Sequence, residues 1–241
     1  MRDLLVAGAG GFARETAEAV RAINDRCPTW RLLGFLDDDP ELRGRDVDGL
    51  RVLGPISGLG DHPGAAAVVC TAHPGNYFSR KRIVRRLGLP SSRYATVVHP
   101  SASLAPSTET GPGTVLLASV VATAAVRIGA HVDVMPGAVF THDDVIDDYV
   151  TVGAGVRLGG RVRVGEGAYL GAGALVREDL RIGAWALVGM GAVVTRDVPP
   201  GEVWAGVPAR PLRRVDVPPD VVEPPASDRP CPTSGEPDAE P

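Results

Sequence analysis

IDDYVT VGAGVR LGGRVR VGEGAY LGAGAL VREDLR IGAWAL VGMGAV VTRDVP, residues 146–199, repeats with a period of six. The first place of each hexad is aliphatic: Ile146, Val152, Leu158, Val164, Leu170, Val176, Ile182, Val188 and Val194. The fifth is small or apolar: Val150, Val156, Val162, Ala168, Ala174, Leu180, Ala186, Ala192 and Val198. Backwards, the register holds through Phe140, Val134, Ile128, Leu116, Leu104 and Val98, with weaker members at Ala122 and Thr110. An amphipathic helix needs apolar residues three and four apart, and a β-sandwich needs turn signals every ~8–12 residues; neither matches. A triangular prism does. The aliphatic fills the interior of a flat face, the small fifth residue fits the corner, and glycine often follows the aliphatic where little volume is tolerated. Three hexads, about 18 residues, make one coil, and each coil buries its interior only by stacking on the next. Residues 96–213 are therefore expected to form a left-handed parallel β-helix.

Before this array the pattern changes. DLLVA (Asp3–Ala7) reads as a strand entering a glycine turn, and Phe12–Ile23 places Ala17, Val20 and Ile23 on one side of a helix. A second apolar run, Leu32–Leu36, ends in Asp37-Asp38-Asp39. A third, Ala65–Cys70, precedes a loop at His73–Asn76 and a helix over Ser79–Leu87. Strand alternating with helix predicts a parallel sheet. Residues 1–95 are thus expected to be a small Rossmann-like βαβ domain, one nucleotide-binding unit rather than two. The whole is α/β followed by all-β. Residues 214–241 are proline-rich and acidic, with almost nothing to bury, and are expected to be a disordered tail.

A net charge of -4 gives no nucleic-acid footprint. Lys81 is the single lysine, which leaves Schiff-base chemistry almost without candidates. Cys27, Cys70 and Cys231 are scattered and odd in number, against a disulfide framework or a zinc site and in favour of a reducing compartment. The start MRDLLVAGAGG lacks the features of a signal peptide, and no apolar run is long enough to span a membrane. A cytoplasmic protein with no membrane partner is the expectation.

Two places carry chemistry. FTHDDV (Phe140–Val145) is the central hexad whose fifth residue, Asp144, is acidic. His142 holds its third place, which does not point into the prism. A neutral imidazole there suits a general base, and Asp143 suits fixing its tautomer. Ala124 and Gly160, one coil away on either side, are small and leave room beside the ring. A solvated surface histidine beside acids is the alternative. His131 and His99 are the other histidines of the array, with no close pairing that suggests a metal. The second place is Gly8-Ala9-Gly10-Gly11-Phe12-Ala13, a G-x-G-x-x-A turn between strand and helix. Its backbone N–H groups can approach a phosphate. Carboxylates at Asp37 and Asp38 could accept from a ribose or a base. A tight turn that merely needs glycine remains open, as does a solvated strand end.

A βαβ unit opening GAGGFARE, joined to a hexapeptide array that ends GVPARPL, resembles the NeuD/PglD-type sugar acyltransferases across about residues 3–213. The resemblance implies acyl transfer from acetyl-CoA to an amine or hydroxyl of a sugar, often nucleotide-linked, by a homotrimer with no metal. It implies His142 and Asp143 as the catalytic pair. Gly10, Gly11, Phe12, Asp37, Asp38 and Gly75 would contact the nucleotide-sugar, although a family member can carry histidine where Phe12 stands. Thr151, Ala172 and Met190 would contact acetyl-CoA, with Gly160 giving the pantetheine arm room. Thr151 replaces a common histidine. Two other readings stay open: a non-catalytic nucleotide-binding assembly subunit, and a nucleotide-dependent oxidoreductase suggested by the glycine turn alone.

Overall fold

The computed structural model describes residues 1–71 and 73–222. The chain opens with strand β1 (Arg2–Ala7), helix α1 (Gly11–Arg26) and strand β2 (Trp30–Leu36). A hairpin β3 (Asp46–Val47) and β4 (Leu50–Gly54) follows, then β5 (Ala66–Val69) and helix α2 (Ser79–Leu87). The sheet order is β3-β4-β2-β1-β5, parallel except within the hairpin. Central β1 is covered on both sides, so Leu4, Leu5 and Val6 are fully buried, as continuous apolar runs in parallel sheets should be. The hairpin was not legible as a strand pair. It turns at Asp48-Gly49, both at positive φ (51° and 77°), but of its few residues only Val52 and Gly54 are buried.

From Val97 the chain winds into the three-faced left-handed β-helix. The first face runs from Val97–Val98 to the closing hairpin Glu202–Ala205 and Arg210–Arg214; the second runs from Ser103–Leu104 to Val193–Val194; the third runs from Glu109–Thr110 to Arg181–Ile182. Equivalent residues pair in parallel one coil apart, as in Val152 with Leu170. Phe140, Val152, Val164, Leu170 and Val188 are at most 1% exposed, the continuous interior that the hexads require. Glycine after the aliphatic has a measurable cause: a Cβ at Gly153 would lie 2.5 Å from the backbone nitrogen of Ala172 on the next coil. The fourth place of the hexad turns the corner at positive φ, by glycine at Gly155 and Gly173 but by Asp143, Tyr149, Arg161 and Trp185 elsewhere.

The N-terminal domain docks through α2 on the first face and on the corner between third and first faces. Arg80 is wholly buried and ion-paired with equally buried Asp133. Its Nη2 donates to Tyr149 O (2.8 Å), Val150 O (3.1 Å) and Thr151 Oγ1 (2.8 Å). Burial pulls the guanidinium down to about 10, so it stays charged at neutral pH. Lys81 is paired with Glu166 and lies 5.6 Å from the Tyr149 ring centroid and 5.7 Å from that of Trp185. Tyr77, Phe78 and Trp185 form a buried aromatic cluster, and Tyr77 Oη donates to Trp185 O at 3.0 Å.

The expected tail needs correction at its start. Val215 N donates to Gly201 O at 2.7 Å, and Val221 is fully buried in the aromatic cluster. Asp220 accepts two hydrogen bonds from Arg82, at 2.6 and 2.8 Å. Buried Val221, with Val215 and Val217 packed on the same cluster, and one bidentate pair thus hold residues 215–222 in place, despite their prolines. The rest of the expected tail, 223–241, lies outside the described residues.

Arg80→Ala leaves the Asp133 carboxylate buried without its cation and is expected to cost about 3–5 kcal/mol. Urea unfolding reads this as a lower midpoint at unchanged slope; an unmoved midpoint would remove the pair from the account of docking. His131 offers a second test. It lies between Tyr94 (4.5 Å) and Tyr149 (5.3 Å), its Nδ1 without a partner. Burial, with Arg80 adding to it, pushes it from 6.5 down to about 4. A depressed pKa favours the fold above the unfolded value and ceases to do so as pH falls through the folded one. The melting point of the protein should therefore fall relative to that of its His131→Asn variant, whose asparagine suits the φ of 55°, as pH goes from 6.5 down to 4. A difference constant across that window would contradict the buried neutral ring.

Candidate active site

Two regions hold the residues singled out above. The first is the corner between second and third faces, where the chain leaves Val139–Phe140 and enters Val145–Ile146. The corner residue Asp143 takes φ 63°, which turns the carboxylate back to its neighbour. His142 Nδ1 lies 2.9 Å from Asp143 Oδ2. An ionised carboxylate only accepts, so in a neutral imidazole this contact places the proton on Nδ1 and leaves the lone pair on Nε2. The ring lies across Gly160 on the next coil, where any Cβ would collide with Nε2. The backbone stacks as the register requires, Asp143 N donating to Ala124 O and Arg161 N to His142 O, both at 2.9 Å. Gly160 thus makes room for the imidazole. Side chains of His142 and Asp143 are about half exposed, at 51% and 57%, so a substrate can reach them. Beside them Arg161 grips Asp179 through two hydrogen bonds of 2.5 and 2.8 Å. That contact holds Asp179 below the usual carboxylate range.

Beneath this pair lies Asp144, fully buried. Its Oδ2 accepts from Thr141 N at 2.8 Å and its Oδ1 from Val162 N at 2.9 Å. Burial pushes its carboxyl up to about 7, the two N–H donors and His142 acting in the opposite direction.

The second region is a cleft of about 380 Å³ at the carboxyl ends of β1, β2 and β5, where open α/β sheets receive ligands. Gly10, Gly11, Phe12 and Asp37 line it, as the sequence suggests. Gly8 sits at φ 105°, and a Cβ there would lie 2.8 Å from Cys70 O, so the turn requires glycine. The N-terminus of α1 has no side-chain cap and no acidic residue in its first turn, which leaves its N–H groups free for an anion. Asp37 also braces the backbone, its oxygens accepting from Ala9 N (2.8 Å) and Asp39 N (2.9 Å).

Asp38 and Gly75 are not part of the lining. Asp38 is turned away, accepting from Ile56 N at 3.0 Å and from Arg86 at 2.5 Å. Burial opposes its ionisation, but Arg86 and the Ile56 N–H hold it below the usual range. Gly75 donates its N–H to His73 Nδ1 at 3.0 Å. His73, Asn76 and Ser79 line the cleft instead, with Cys70 and Thr71. The loop before α2 was visible in the sequence, yet nothing there told which of its residues would face inward. Cys70 is wholly buried, and that pushes its thiol up to about 12, so it is no nucleophile at neutral pH.

The positions expected for acetyl-CoA separate. Thr151 is 1% exposed beneath Arg80, so its side chain serves domain docking and is closed to a donor in this chain. Ala172 and Met190 stack on consecutive coils, Gly191 N donating to Ala172 O at 2.9 Å, and Met190 is 79% exposed. They occupy the corner between first and second faces, whereas His142 occupies the other edge of the second face. One chain does not bring them together. His99 Nδ1 lies 2.8 Å from Ser101 Oγ. Among the described residues no group of three or more His, Cys, Asp or Glu is placed to hold a metal.

Comparison with known proteins agrees with this architecture. Residues 3–87 match the family model of the PglD N-terminal domain. The acetyltransferase domain of PglB from Neisseria gonorrhoeae FA1090, in complex with acetyl coenzyme A, is 31% identical, with a TM-score of 0.78 over 88% of this chain and 99% of that one. PerB from Caulobacter crescentus, in complex with CoA and GDP-perosamine, is 30% identical, with a TM-score of 0.76 over 88% of this chain and 97% of its own. WeeI from Acinetobacter baumannii AYE is 28% identical at a TM-score of 0.74. A UDP-3-O-acylglucosamine N-acyltransferase of Methylorubrum extorquens (strain PA1) is 31% identical over 88 residues, 36% of this chain, which spans only 20% of that protein's length. Similarity to solved relatives over 88% of this chain, the matching N-terminal model and the shared order of domains lead to one conclusion: the chain belongs to the NeuD/PglD-like family of acetyl-CoA-dependent sugar acyltransferases.

Proposed function

We propose that the protein transfers an acetyl group from acetyl-CoA to an amine or hydroxyl of a nucleotide-linked sugar, with His142 as general base. The observation that carries this is the His142–Asp143 contact of 2.9 Å, between side chains that are about half exposed; in a neutral ring it leaves the lone pair on Nε2. The cleft at the α1 N-terminus supports a ligand with a phosphate group. In this reading Nε2 takes the proton as the acceptor attacks the thioester carbonyl. Backbone amides stabilise the oxyanion of the tetrahedral intermediate. The intermediate expels the CoA thiolate, which takes the proton back from the imidazolium. Asp143 holds the tautomer and stabilises the charged ring while the proton resides there. No acyl-enzyme is involved. Lys81, the single lysine, and Cys70, the cysteine that lines the cleft, are both buried, and Lys81 is paired.

We further propose a homotrimer in which the corner bearing Ala172 and Met190 on one copy faces His142 of the next. The separation of the two corners within one chain motivates this. Among the described residues no helix is long and apolar enough to cross a membrane, and we place the enzyme in the cytoplasm, where acetyl-CoA is available.

Two measurements test the reading. Thiol release from acetyl-CoA, with a panel of UDP- and GDP-linked amino sugars as acceptors, should fall by about 10²-fold or more in His142→Ala, the scale of lost general-base catalysis. Turnover untouched by the substitution would remove His142 as base. Mixing His142→Ala subunits with subunits carrying Ala172→Arg, each inactive alone, should restore part of the activity if sites form between copies. Failure to recover any activity in proven mixed trimers would put both halves of the site on one chain.

A further inference from the structure

The β-helix is held together by a repeated hydrogen bond in which the residue after each inward aliphatic donates its N–H to a carbonyl of the next coil. Gly129 N reaches Ile146 O, Asp147 N reaches Val164 O, Gly153 N reaches Leu170 O and Gly159 N reaches Val176 O, each at 2.8–2.9 Å. Among the described residues from His99 to Gly189, Thr141 is where this ladder breaks. Its N–H goes to Asp144 Oδ2, and its hydroxyl takes over the vacated carbonyl, donating to Leu158 O at 3.1 Å. The adjoining strands accordingly pair at Val139–Arg157 alone, while the next pair in the same face has two partners. The second oxygen of Asp144 holds Val162 N on the following coil. A buried carboxylate therefore replaces one rung of the ladder on the coil that carries His142, one residue before that histidine.

We propose that Asp144 is the positioning residue of the His142–Asp143 pair: by accepting the Thr141 and Val162 N–H groups it takes the corner out of the regular ladder and fixes the backbone from which the imidazole reaches Asp143 and lies across Gly160. The proposal rests on the general-base reading of His142. A purely structural cap needs no carboxylate. At Thr114, the same place in another hexad, a buried hydroxyl accepts from Val132 N at 3.0 Å and donates to Gly129 O at 2.7 Å, and the Gly111 rung there stays in the ladder, donating to Ile128 O at 2.8 Å. Threonine can cap the next coil, but its one oxygen cannot also claim the N–H at the start of its own corner. Only a side chain with two acceptors does both. The charged groups acting on Asp144 are His142 and Asp143 on its own corner; Ala124 and Ala125 on the preceding coil bring no charge.

Asp144→Thr separates the two roles. It should fold and melt near the parent protein, since Thr114 shows that the geometry works, and keep its KM for acetyl-CoA within about twofold. Its kcat should drop by about tenfold or more, the scale of a misplaced catalytic group. The ¹⁵N signals of His142 should lose their bias toward the Nδ1–H tautomer. On a His142→Ala background the same change should cost no further activity, because the group it positions is gone. A folded Asp144→Thr with parental kcat and tautomer overturns the proposal, as does a loss that adds in full to that of His142→Ala. If threonine does not fold, Asp144→Asn, which keeps one acceptor, carries the same comparison. Full turnover by His142→Ala alone would sink the general-base reading whatever Asp144 does. An inactive His142→Ala beside a fully active Asp144→Thr would sink only the positioning role.

Discussion

Each coil of the prism can bury its inward aliphatics only against the coils above and below it, and the rest of the molecule follows from that constraint. Stacking forces the inward side chains and the corner turns into register from coil to coil, so that every outward residue acquires a fixed neighbour one coil away. His142 gains Gly160 beneath its ring in this way, and Ala172 gains Met190. The corners are the only places where side chains leave the sheet at an angle, and turning them costs positive φ. Glycine meets that cost at corners such as Gly113, Gly137, Gly155, Gly167, Gly173 and Gly191. Where Asp143, Tyr149 or Trp185 turns the corner instead, the chain has put something useful there: a partner for the imidazole in one case, anchors for the other domain in the rest.

The two domains meet at charge rather than at grease alone. Arg80 and Asp133 are both removed from water, and such a pair gives little net stability while making the wrong docking very unfavourable. It acts as a register pin. Because α2 carries Arg80 and Lys81, and the loop just before it supplies His73 and Asn76 to the cleft, the interface that seats the domain also sets one wall of that cleft. The segment 215–222 reinforces the same helix from outside through Asp220 and Val221. Cleft, docking helix and β-helix corner are thus mechanically one unit.

Much of this was legible in the residues. The period of six marked the β-helix hexad by hexad, because inward burial at one place in six leaves no other reading. The strand–glycine–helix entry marked the cleft, and the acidic fifth place of FTHDDV marked an irregular corner. The acidic run was read less well: Asp37 faces the cleft, but Asp38 belongs to Arg86 and Ile56. Two adjacent carboxylates at a strand end look alike in sequence, and only the path of the chain after them assigns one to each side. The burial of the Thr151 side chain was not legible for a related reason, since a first-face position is open or closed according to what lies on that face.

By itself, then, the sequence determined what depends on local periodicity: the coils, their register, the corner that bears His142, and the glycine turn. These are set by neighbours six or about 18 residues away, close enough for composition at fixed spacing to encode them. Tertiary structure alone decided what depends on surfaces meeting without a repeat. It chose the face that α2 covers, buried Arg80, Asp133 and Thr151 there, and drew residues 215–222 onto the helix. Contacts of that kind join residues 50 to more than 130 positions apart, such as Arg80 with Asp133 and Arg82 with Asp220, and no period in the chain records them.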